Sequence, residues 1–122
     1  MRQIHANGLN TLALGRQGEN MAMQVVFDVS EWETLYGPGA VELLYRRPGD
    51  RTPYPVALER DGSTVLWTLT DTDTAFPNSY GKCELRYYAD ETLAKSRVWR
   101  TWVEPGINPA WAVPECPEAA WV

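Results

Sequence analysis

The 122 residues carry a net charge of −5 and a pI near 4.8. That balance excludes a nucleic-acid binder, which needs clustered Lys and Arg, because the longest basic run is Arg46-Arg47. Hydrophobic residues at 44% and charged residues at 22% are ordinary for one globular domain able to bury its own core, and no apolar run reaches the roughly 18 residues a membrane span needs.

In chain order, residues 2–6 form a short strand closed by Asn7-Gly8. The N-terminal "MRQIHANGLN" has no apolar leader pattern, which predicts assembly in a cytoplasm. "LGRQGEN", 14–20, reads as a loop on its two glycines. Residues 21–29 alternate Met21, Met23, Val25, Phe27 and Val29 against smaller or polar neighbours, the period of a strand. Ser30 followed by Glu33 then matches a capping box, so a one-turn helix should link two strands, with Trp32 and Leu35 covering the sandwich end.

A second strand pattern occupies 40–47, with Val41, Leu43 and Tyr45 on one face. "PGDRTPYP", 48–55, has three prolines and is no central strand. Residues 56–69 read as a hairpin whose turn is Asp61-Gly62, with Val65, Trp67 and Leu69 on one face. "DTDTAFPNSYG" is a polar connection in which Thr70 and Asp73 form a helix-start pattern. Residues 82–89 alternate again, 89–95 turn, and "SRVWRTWV" closes the ordered body at residue 103.

These runs predict an all-β antiparallel sandwich of about seven strands over residues 1–103. Its core should come from Met23, Val25, Phe27, Val41, Leu43, Tyr45, Val65, Trp67, Leu69, Leu85 and Tyr87. Residues 104–122 form a separate tail holding four of the nine prolines and two of the six tryptophans. It is too proline-rich for a central strand and too apolar, at Trp111, Trp121 and Val122, for a plain linker.

Chemistry-bearing patterns are sparse. The single histidine, His5, has no cysteine cluster or second histidine beside it, and neither GxSxG, GxGxxG nor GxxxxGK[ST] occurs. Asp28, Glu31 and Glu33, or Asp71 and Asp73, are too few oxygens for a calcium loop. No enzyme, metal or cofactor is expected. Cys83 and Cys116 are 33 positions apart, and Cys83 reads as a buried free thiol rather than half of a disulfide. The aromatics Trp99, Tyr88 and Tyr54 are candidates for a sugar-stacking platform. Trp99 and Trp102 differ by an odd number, so one of them leaves the core face. Trp67, Tyr87 and Trp102 are the core candidates, and the expected partner-binding residues are Trp99, Trp111, Trp121 and Val122.

The order "VVFDVSEW", "GAVELLYRRPGD", "PYPV", "DGSTVLWTLTDTDT" and "GKCELRYYADETLAKSRVW", over about residues 20–103, resembles the N-terminal domain of the phage baseplate upper protein family and related small structural proteins of tailed phages of Gram-positive gut bacteria. The resemblance implies an immunoglobulin-like sandwich and a non-enzymatic virion structural protein. No heptad stalk or receptor-binding head follows the sandwich in this sequence, which favours an attachment, adaptor or capsid-decoration subunit over a complete fibre. Its partners would be other phage structural proteins and copies of itself, without nucleic acid or membrane, in a virion assembled in the host bacterial cytoplasm. The alternative is a carbohydrate-binding module touching the host surface.

Overall fold

The computed structural model describes residues 1–106, which fold into two sheets packed face to face. Nine strands form: β1 (Arg2–His5), β2 (Thr11–Arg16), β3 (Met23–Asp28), β4 (Ala40–Arg46), β5 (Tyr54–Val56), β6 (Glu59–Asp61), β7 (Thr64–Thr68), β8 (Tyr80–Ala89) and β9 (Thr92–Glu104). A seven-residue helix, α1 (Ser30–Tyr36), joins β3 to β4. One sheet has the order β1-β3-β7-β6, the other β2-β9-β8-β4-β5.

The all-β sandwich is as the alternation predicts, but the sheets are mixed rather than purely antiparallel. β1 runs parallel to β3 and β2 parallel to β9. The cause is the N-terminal stretch, which starts in one sheet and crosses to the other through a 3₁₀ turn at Ala6–Gly8. Asn7 holds the crossing by donating its amide to the Asp28 carbonyl and accepting from the Asp28 N–H. Arg97 reaches across to the carbonyls of Asn7 and Leu9 at 2.8 and 2.7 Å. The segment expected to be a loop from residue 14 is therefore partly strand: Leu12 and Leu14 are fully buried. Gly15, at φ 108°, sits at the irregularity that shifts the β2–β9 register between Ala13 and Arg16.

The strand expected from residue 21 begins at Met23. Met21 is exposed and has positive φ. At the hairpin, Asp61 pairs with Thr64, so the two turn residues are Gly62 and Ser63. Gly62 alone takes positive φ, the requirement of a II′ turn, and Asp61 belongs to the strand. β8 and β9 join through a second two-residue turn, Asp90-Glu91, both at positive φ, so β9 starts at Thr92 within the stretch read as a turn.

Every expected core residue is buried except Val41, which is partly buried against the cluster, and Trp102, which stands outside it. Edge-on aromatic pairs fill the centre: Tyr45 on Trp67 at 5.0 Å and Phe27 on Trp99 at 5.1 Å between ring centroids.

Candidate interaction surface

The acidic motifs resolve into structural anchors. The capping box expected at Ser30 does not form. Val29 occupies the N-cap of α1 without a side-chain bond, while Asp28 accepts from the Ser30 N–H at 2.9 Å. That contact holds the Asp28 carboxyl below the usual carboxylate range. Glu33 turns away to pair with Arg60 and accept from Ser63. Trp32 packs on Tyr87, whereas Leu35 is 64% exposed and covers nothing.

The reciprocal box forms instead at Thr70 and Asp73: the Thr70 N–H and hydroxyl donate to Asp73 Oδ2, and the Asp73 N–H donates back to Thr70 Oγ1. The nearly buried Asp73 carboxylate also accepts from Tyr54 OH at 2.6 Å and Trp67 Nε1 at 3.3 Å, while Tyr45 OH donates to the Asp73 carbonyl. Burial pushes the Tyr45 hydroxyl up to about 12, and burial together with Asp73 raises Tyr54 further. With its lone pairs committed to these donors, Asp73 ties the β7–β8 connection to both sheets. Asp71 is exposed, and among the described residues no group of three or more His, Cys, Asp or Glu could hold a metal ion.

The "RPGD" segment is likewise a built turn. Pro48 and Gly49 occupy the central positions, Gly49 at φ 86°, and the Asp50 N–H closes on the Arg47 carbonyl at 3.0 Å, a type II geometry. Arg47 grips Asp50 with two side-chain nitrogens at 2.8 and 3.2 Å and lies over the Phe76 ring. This grip holds the Asp50 carboxyl below its ordinary value.

Of the expected partner-binding residues, Trp99 is a core residue, 2% exposed, with its Nε1 donating to the Ala6 carbonyl. It offers no surface to a partner. Trp102 is the one that faces outward, reversing the expected assignment of this pair. Trp111, Trp121 and Val122 lie outside the described residues, as does Cys116. Cys83 is a buried thiol whose burial pushes it up to about 12. The three suggested sugar-stacking aromatics are dispersed: Trp99 in the core, Tyr54 bound to Asp73, and Tyr88 donating to Glu42.

What the structure brings together is the outer face of the five-stranded sheet. Residues directly opposed across strands share a face, and here they form rows. Trp102 lies beside Tyr80, their ring centroids 5.2 Å apart and tilted by 52°. Arg46, Lys82 and Arg100 form the next row, on β4, β8 and β9. Leu44, Glu84 and Val98 form the third, and a shallow groove of about 180 Å³ runs between these rows. Tyr80 and Val98 are each more than half exposed, at 54% and 53%. Arg86 neutralises Glu84, and Arg100 lies over the Tyr80 ring at 4.5 Å. Arg46, Lys82 and Arg100 make no ion pair among the described residues. An apolar strip beside unpaired cations, on an acidic chain, has the composition of a docking surface.

No protein-family model and no curated protein matches the chain. The likeness to the baseplate upper protein family therefore rests on the quoted segments alone.

Proposed function

We propose that this chain is a non-enzymatic structural subunit of a tailed-phage virion, an attachment, adaptor or decoration module that works through its surface. The observation that carries the reading is the outer face of the five-stranded sheet, where Tyr80, Val98 and Trp102 adjoin the row of Arg46, Lys82 and Arg100. The strand orders support an immunoglobulin-like sandwich: β3-β7-β6 corresponds to B-E-D and β9-β8-β4 to G-F-C, while β1, parallel to β3, departs from the antiparallel A strand of that fold. The tilt between Tyr80 and Trp102 argues against a flat sugar-stacking platform. Residues 107–122 supply a second docking element through Trp111, Trp121 and Val122, since tryptophans dominate binding hot spots.

The test is incorporation. A tagged full-length chain, expressed in host cells producing the phage, should co-purify with tailed particles. The same chain lacking residues 107–122 should keep its melting temperature and fail to incorporate. A full-length chain absent from purified particles contradicts the assignment.

A further inference from the structure

The two outer faces of the sandwich carry opposite charge. On the five-stranded sheet, Arg46, Lys82 and Arg100 lie side by side on adjacent strands. On the four-stranded sheet, Asp28 and Asp61 flank Thr64 in one row, and Glu59 lies opposite Leu66 in the next. Val65 and Trp67 point into the core, so Thr64, Leu66 and their partners Asp28, Asp61 and Glu59 face out. None of these three acids makes an ion pair among the described residues. Neighbouring strands are about 4.8 Å apart, so each charged row spans about 10 Å. The basic face also has an apolar strip beside its charges, Val98 and Leu44, and Leu66 lies beside the acids on the other face.

We propose that the occupant of the basic face is the acidic face of a second copy of this chain, giving a head-to-tail stack. This deepens the structural-subunit reading by naming the partner. A two-fold, face-to-face dimer would set the cation row against itself, and like charges opposed across a contact are unfavourable. A heterologous contact satisfies both faces at once and leaves one of each free at the ends to propagate. The net charge of −5 opposes association only at long range. At about 0.1 M salt the Debye length is about 10 Å, so the apposed rows outweigh the charge of the rest of the molecule.

Sedimentation of the full chain tests this without any particle, so its failure is distinct from failure of the virion assignment. The parent should associate at about 0.1 M salt, and the association should weaken about tenfold or more toward 1 M, where the Debye length is about 3 Å. Lys82→Glu and Asp61→Lys should each be monomeric at parental melting temperature. Their mixture should associate, because the intact acidic face of one variant meets the intact basic face of the other. The double variant Lys82→Glu/Asp61→Lys, with the charges exchanged, should regain association. If Lys82→Glu is misfolded, Arg100→Glu replaces it on the same row. A parent that stays monomeric, association indifferent to both substitutions, or a mixture that remains monomeric overturns the proposal.

Discussion

Asp73 is the residue on which the two sheets converge, through Tyr54, Trp67 and Thr70. Asp73→Ala leaves the Trp67 N–H and Tyr54 hydroxyl without their acceptor, and each unsatisfied buried group costs about 1–3 kcal/mol. The variant should lose about 2–4 kcal/mol in a denaturant melt, and a loss well under 1 kcal/mol would contradict the anchor role. Asp50 gives a pH signature. Its folded carboxyl lies below the ordinary value of 3.8 because of the Arg47 grip. Its contribution is therefore fully present above that value and is lost as pH falls through the folded value. The melting temperature of Asp50→Asn should sit below the parent's from pH about 5 upward and converge with it toward pH about 2. Both anchors leave local marks in the sequence, a Pro-Gly turn between Arg47 and Asp50 and a Thr-x-x-Asp spacing. Their long-range partners are not legible, because Tyr54 and Trp67 meet Asp73 only through the fold.

At the scale of elements, the β8–β9 hairpin holds two successive non-glycine residues in the left-handed region, Asp90 and Glu91. Such residues strain the backbone by about 1–2 kcal/mol each, Asp less than Glu. Glu91→Gly should remove that strain and raise stability by roughly 1 kcal/mol, less the entropy glycine adds to the unfolded chain. A destabilised variant by thermal melt would mean that the turn is not as described. Alternation made β3, β4, β7 and β8 legible because one face of each is apolar and the other largely polar. β9 was ambiguous for the same reason in reverse. Val98 and Trp102 on one face are matched by Trp99 and Val103 on the other, so period alone does not say which side is core. The answer comes from pairing with β8 and with β2, 89 positions away at Thr11 and Arg100. β2 is hidden in the sequence because Gly15 and Gly18 mark a loop while Leu12 and Leu14 are buried by a strand from the far end of the chain.

For the molecule as a whole, the β-sandwich was legible in the sequence, while the surface that distinguishes it was not. Rows such as Arg46, Lys82 and Arg100 exist only once three strands are in register. The second apolar pattern on β9 becomes meaningful at that point, as the outward strip beside those cations. The central claim is that this face is covered by another subunit in a tailed-phage particle. The direct measurement is a cryo-EM map of that particle at side-chain resolution. Tyr80, Val98 and Trp102 should lie buried against a neighbouring chain, with acidic groups opposite Arg46, Lys82 and Arg100. A map in which this face of the incorporated chain meets only solvent would contradict the account.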